Sequence, residues 1–253
     1  MRKKKCTMSI PEIIKMYERG SRTVEIAEQA NVSARYINSV LQSNDVTRRP
    51  RGSWLRQYTI NENYFKTWSN NMAYLLGFFV ADGNMPHDHQ LISFSQKDPF
   101  ILDVIKKELN SNHPIVKNNK TGVSILNINS KIMKEDLKNI HGLTPNKSND
   151  VNMPFVPVEY MNHFIRGYFD GDGNINYERR VVTFVGGSLK FMQQLKLILE
   201  KEIFEPYLKS NGSHHRLFLS GRRTIYLFGK WIYLKKISIC PENTMSSKKK
   251  HYR

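Results

Sequence analysis

Cysteine is almost missing: Cys6 and Cys240 stand near opposite ends of the chain. Two isolated thiols exclude a disulfide framework and a cysteine-rich zinc site, and they fit a cytoplasmic setting. Long apolar runs are missing too. None approaches the roughly 20 residues a membrane span needs, and the basic start "MRKKKCTMSIPE" has no apolar core behind it, as a signal peptide would. Acidic residues are scarce, 22 against 39 Lys plus Arg, so the chain carries a net charge of +17. Such an excess is costly in self-repulsion and points to a polyanionic partner, nucleic acid rather than membrane. Hydrophobic residues make up 40% of the 253, enough for a proper core and too many for a disordered chain.

What is present begins with "TVEIAEQANVSARYINSVL", residues 23–41, which has helix-turn-helix spacing. Ile26, Ala27 and Ala30 form the apolar stripe of a first helix, and Ile37 and Val40 that of a second. Asn31 is expected to take the left-handed turn conformation usually given to glycine. Ser33 is expected to cap a second helix that turns Arg35, Tyr36, Asn38 and Ser39 outward, toward bases and phosphates. Residues 10–19 supply a supporting helix through Ile13, Ile14 and Tyr17. Residues 1–45 thus read as a small all-α DNA-binding domain. A basic linker, 46–67, follows, in which Arg48, Arg49 and Arg51 flank Pro50. An extended arm of that kind suits the minor groove, and an ordinary linker would look the same.

The remainder repeats itself. A shift of 90 residues carries Gly77 onto Gly167, Asp82 onto Asp172, Gly83 onto Gly173 and Phe94 onto Phe184. The same shift carries Leu109 onto Leu199, Gly122 onto Gly212, Ser130 onto Ser220 and Leu137 onto Leu227, without a gap. Residues 68–150 and 151–245 therefore read as two copies of one helix–strands–helix–strands–helix unit, before a basic tail at 246–253. The fold class is α+β, with two pseudo-twofold repeats behind the small helical domain.

Each copy opens on an apolar helix that ends in an acid: "LLGFFVADG", Leu75–Gly83, and "IRGYFDGDG", Ile165–Gly173. Gly77 with Ala81, and Gly167 with Gly171, place small residues one turn apart, so two backbones can approach closely. Packing on those faces brings Asp82 and Asp172 side by side, with Gly83 and Gly173 expected as left-handed caps. A carboxylate at a helix C-terminus opposes the macrodipole. A divalent cation offsets both that penalty and the mutual repulsion, and carboxylates with the backbone carbonyls of Ala81 and Gly171 suit Mg²⁺. Such a centre fits phosphodiester hydrolysis. One Asp-Gly pair is ordinary turn chemistry; two at equivalent helix ends are not.

These two motifs resemble those of the single-chain, two-repeat LAGLIDADG homing endonucleases. The resemblance covers about residues 68–245, and "GLTPNKSNDVNMPFVP", 142–157, resembles the connection into the second motif. It implies paired central helices, two antiparallel sheets forming a saddle over duplex DNA, and Mg²⁺-dependent cleavage of both strands by a monomer. The metal-binding acids fall on Asp82 and Asp172. Val80 stands where the second copy has Asp170, which is not the catalytic position. Basic residues near the site assist the chemistry in this family; Lys97, with Gln96 beside it, is the candidate in the first copy. The second copy has Gly186 and Gly187 there, leaving Lys147 and Lys248 as substitutes. Outward strand residues Ser93, Ser95 and Lys97, with Thr183 and Val185, are expected to read DNA. Arg179, Arg180, His214, His215 and Arg216 are further contact candidates. A DNA-binding regulator that has lost cleavage, or an RNA-binding maturase, would use the same fold. The gene is read as bacterial or phage-borne; an intron or intein around it would point to homing, an operon to regulation.

Overall fold

The computed structural model describes residues 6–48, 58–145 and 151–233. Arg49, Arg51, Lys147, Lys248 and the basic tail lie outside the described residues. Contacts divide the chain into two units, Met1–Tyr58 and Thr59–Arg253.

In the first unit, α1 (Ile10–Glu18), α2 (Thr23–Gln29) and α3 (Ala34–Ser43) enclose a small core. Ile13, Ile26, Ile37 and Leu41 are fully buried in it, with Tyr17, Ala27, Ala30 and Val40 around them. Asn31 between α2 and α3 has φ 53°, and the Ser33 hydroxyl accepts from Tyr36 N at 3.2 Å. Both are local backbone requirements that sequence states directly. Asn38 differs from expectation. It is half-buried, and its Nδ2 donates to the Ala34 carbonyl at 2.9 Å, so its amide is partly used within the helix.

The second unit opens earlier than its composition suggests. Residues 59–67, expected as linker, are fastened to the core. Thr59 N takes Asn112 Oδ1 at 2.6 Å, Asn61 N takes the Leu109 carbonyl at 2.9 Å, and Phe65 is fully buried. Burying one aromatic ring outweighs the polar residues around it.

Two equivalent halves follow. The first runs α4 (Asn70–Asp82), β1 (Gly83–Asn84), β2 (Leu91–Gln96), α5 (Pro99–Glu108), β3 (Ile115–Lys117), β4 (Ser124–Asn129) and α6 (Lys131–Asn139). The second runs α7 (Met161–Asp172), β5 (Gly173–Asn176), β6 (Val181–Gly186), α8 (Leu189–Lys201), β7 (Tyr207–Asn211), β8 (His214–Ser220) and α9 (Arg222–Tyr233). Each half folds its strands into one antiparallel sheet, ordered β1-β2-β4-β3 and β5-β6-β8-β7. The inner aromatics repeat as well. Phe79 meets Phe94 edge-on at 5.3 Å, and Phe169 meets Phe184 edge-on at 5.2 Å.

The constant shift of 90 does not survive past the middle of the unit. Leu91 pairs with Asn129, and Val181 with Ser220, so the counterpart of Asn129 is Ser220, 91 residues on. Ser130 and Leu137 therefore correspond to Gly221 and Phe228, not to Ser220 and Leu227. Helix α8 has 13 residues where α5 has 10, and the second hairpin is tighter, which nearly cancels the insertion. Compensating length changes of this kind leave an ungapped comparison almost in register.

Candidate active site

The two motif helices touch backbone to backbone. A Cβ added at Gly77 would collide with the Phe164 carbonyl and come within 2.9 Å of Tyr168 N. One added at Gly167 would collide with the Tyr74 carbonyl and come within 2.8 Å of Phe78 N. No other residue permits this approach without parting α4 from α7. It sets the two C-terminal ends together: a Cβ at Gly171 would lie 2.5 Å from the Ala81 methyl and 2.8 Å from Asp82 Oδ2. The carboxylate of α4 therefore lies against the last turn of α7.

Gly83 and Gly173 are not left-handed caps. Their φ values are −82° and −99°, extended backbone that passes straight into β1 and β5. Glycine is required there for room, since a Cβ would strike the ring and carbonyl of Phe79 or Phe169. Each acid thus stands at a helix-to-strand junction, with Gly83 opposite Phe94 and Gly173 opposite Phe184.

Around Asp82 and Asp172 the halves differ. Gln96 Nε2 donates to Asp82 Oδ2 at 2.5 Å, which places β2's last side chain on the first acid. Gly186, at the same place on β6, offers no side chain. Beneath the junction lies the Tyr168 hydroxyl, donating to the Val185 carbonyl at 2.9 Å. Burial first, and then the negative charges of Asp172 and Asp82, push its pKa far above the ordinary tyrosine value, so it stays a neutral donor. Both acids therefore act on one phenol, although Phe78 holds the matching position in the first half. A cavity of about 260 Å³ opens here, lined by Ala81, Tyr168, Asp172, Gly186, Gly187 and His214 among others.

Asp170 lies in a buried network and not at the junction. It accepts from Tyr233 OH at 2.8 Å and Tyr74 OH at 3.2 Å, and Arg166 Nε is 3.8 Å away. Arg166 is 3% exposed, with its guanidinium 4.7 Å from the centre of the Tyr233 ring. Comparing the repeats position by position signals this network, because Leu76 and Val80 replace Arg166 and Asp170 in the first half.

The outward strand positions divide. Ser95, Thr183 and Val185 are half-buried and Lys97 is exposed, past the end of β2. Ser93 is only 5% exposed, so alternation placed it on the outer face without making it accessible. His215 is likewise buried, its Nδ1 3.0 Å from Ser210 Oγ, because it sits on the core face with Leu217 and Leu219. Arg179 and Arg180 are exposed in the β5–β6 turn, and Arg216 is exposed beside its cross-strand partner Lys209, which sequence reading passed over. Arg35 and Tyr36 are exposed on α3 of the other unit, and Arg48 there donates to Gln42 at 2.9 Å.

Among the described residues no three His, Cys, Asp or Glu side chains converge as a metal site. The junction offers two carboxylates and helix-end carbonyls, an all-oxygen set that fits a hard divalent cation.

Residues 159–231 match the model of the LAGLIDADG-like domain family. Among solved structures, the homing endonuclease I-WcaI bound to its DNA recognition sequence is similar at TM-score 0.51 and 13% identity, over 78% of this chain and 94% of that one. I-DmoI in complex with DNA and Ca is similar at TM-score 0.51 and 16% identity, over 74% and 98%. Full-length DUF199/WhiA from Thermatoga maritima is similar at TM-score 0.50 and 16% identity, over 74% and 63%. These identities establish shared fold alone. Elongation factor 2 of Methanopyrus kandleri is 35% identical over 73 residues, 29% of this chain and 6% of that protein. DNA-directed RNA polymerase subunit Rpo1C of Methanocaldococcus jannaschii is 28% identical over 137 residues, 52% of this chain and 16% of that protein. The chain thus spans only a small part of these relatives. Its paired motif helices and twin sheets give this chain the fold of those structures, and its residues 159–231 match the LAGLIDADG-like domain family.

Proposed function

We propose that this protein is a site-specific endonuclease that cuts both strands of duplex DNA. The observation that carries the reading is the junction: Asp82 lies against Gly171, and the charges of Asp82 and Asp172 both act on the Tyr168 hydroxyl. Two carboxylates set this close by a backbone-level helix contact are costly unless a cation joins them. A bound Mg²⁺ would supply a Lewis acid for the phosphate and an acidified water. Asp82 and Asp172 would hold it, with carbonyls of Ala81 and Gly171, water and phosphate oxygens completing its coordination. Gln96 orients Asp82 through its amide, and Tyr168 holds the floor of the site with a neutral hydroxyl. In the reaction, water oxygen bonds to phosphorus while the bond to the 3′-oxygen breaks. One proton leaves the water and one is returned to the 3′-oxygen, giving 3′-hydroxyl and 5′-phosphate ends. The sheets, with Arg179, Arg180, Arg216, Ser95 and Lys97, would lie over the duplex as a saddle. Arg35 and Tyr36 on α3 would add contacts from the N-terminal unit.

The curated relatives do unrelated work, yet each matches over a short stretch. That proteins of unrelated work each carry a stretch similar to part of this chain supports a mobile, intron- or intein-associated origin. The WhiA likeness equals that of the endonucleases and supports a second reading, a DNA-binding protein of the same fold that does not cut. The test is incubation of a randomised duplex pool with Mg²⁺, comparing wild type with Asp82→Asn and Asp172→Asn, then sequencing of the ends. Discrete ends lost in both variants are expected. Enrichment of bound sequences with no cutting would move the assignment to the second reading.

A further inference from the structure

The two halves of the site are not chemically equivalent, and the difference is local. In the first half, Gln96 at the end of β2 reaches the acid. In the second, that position is Gly186 and carries no side chain. A Cβ at Gly186 would stand 2.8 Å from Tyr168 Oη and 2.9 Å from Met192 Sδ. A polar group beside Asp172 therefore comes from elsewhere than the end of β6. The cavity at Asp172 shows which strand: His214, the first residue of β8, lines it together with Asp172, Tyr168 and both glycines.

His214 is well placed for such a role. It is exposed, and it pairs with Asn211 across a two-residue turn, so its backbone is held by the ladder. Its neighbour His215 faces the core and is engaged by Ser210, which turns His214 to the opposite side of the strand. In the first half, β2–β4 pairing makes Val123 the residue in the matching position, with no polar group to offer. The polar side chain lining the cavity in this half thus stands at the start of the fourth strand and not at the end of the second.

We propose, resting on the endonuclease reading, that His214 is a catalytic residue of the second half, hydrogen-bonding the scissile phosphate of the strand cut beside Asp172. An imidazole carries two ring nitrogens, so it can contact a phosphate oxygen and its attacking water without a second group. Gln96 serves the first half from the other strand end. The site then has one amide-assisted and one imidazole-assisted half, and each strand depends on a different residue.

Strand-resolved cleavage tests this on a supercoiled plasmid carrying a site recovered from the pool. Wild type should linearise it. His214→Ala should leave nicked circles, with one defined strand cut about 100-fold more slowly, and added imidazole should restore linear product. Gln96→Ala should slow the opposite strand and gain nothing from imidazole. Duplex binding in Ca²⁺, by fluorescence anisotropy, should weaken far less than cleavage in both variants. Equal slowing of both strands by His214→Ala, slowing of the same strand by both variants, or no slowing at all would overturn the assignment. A wild type that binds the site and cuts neither strand would instead sink the endonuclease reading beneath it.

Discussion

Asp82 has a hydrogen-bond partner in Gln96, and that pairing could not be read from sequence, because adjacency on a strand says nothing about reach across a junction. The acids themselves were legible, since their spacing from Gly77 and Gly167 is a packing requirement written in residue type. Their removal is the sharpest test. Asp82→Asn or Asp172→Asn should slow cleavage at least about 100-fold, the loss of a few kcal/mol of charge stabilisation, while binding in Ca²⁺ persists. Gly77→Ala belongs to the same scale and tests packing instead: a methyl meeting a carbonyl should cost about 3 kcal/mol in urea unfolding. A variant as stable as wild type would contradict the close contact. His141 gives a pH signature. Its Nε2–H donates to the Phe65 carbonyl at 2.7 Å, and burial lowers its pKa, opposed by that carbonyl and by Asp136. The unfolded ring takes up a proton near about pH 6.5 that the folded ring resists. Stability should hold above that range and fall as pH drops through it. Unfolding midpoints at acidic and neutral pH check the sign, and His141→Gln should flatten the difference. His113, also lowered by burial, works in the same direction.

Most elements were legible because period and boundary agree. Asp98 and Ser188 cap α5 and α8 as short polar residues before apolar stripes, and Gly122 and Gly212 mark their hairpins with positive φ. Strands β1 and β5 were not. A strand of two residues beginning at an Asp-Gly pair carries no alternation, and its existence depends on pairing with β2. Nor was the three-residue extension of α8 visible, because the shorter hairpin hides it. Within the N-terminal unit, Ser33→Ala should cost about 1 kcal/mol through loss of the α3 cap. Asn31→Val should cost about 1–2 kcal/mol, from the left-handed turn. Both can be followed by circular dichroism, and Asn31→Gly should be tolerated. Between α7 and α9, Asp170→Ala would leave the Arg166 guanidinium buried without its carboxylate. The expected loss is about 3–5 kcal/mol, against a small effect if the network were dispensable.

For the molecule as a whole, the net charge of +17 dictates a salt response. If six to ten phosphates are neutralised, affinity should fall by about 10³–10⁵ between roughly 50 and 200 mM salt. A flat dependence would contradict nucleic-acid binding, and competition with single-stranded or folded RNA distinguishes the maturase reading. The pseudo-dyad was legible in sequence; its imperfection was not. In the first half six residues, 118–123, join β3 to β4, whereas two, 212–213, join β7 to β8. The departures from symmetry are thus gathered in α8 and the hairpin tips, while the motif helices keep theirs. A duplex lying across both sheets would meet nearly the same backbone at its centre, though not the same polar side chains, and different surfaces at its flanks. The preferred target should therefore be a broken palindrome, near-symmetric in the middle base pairs, with its protected flank longer on the side of the wider loop.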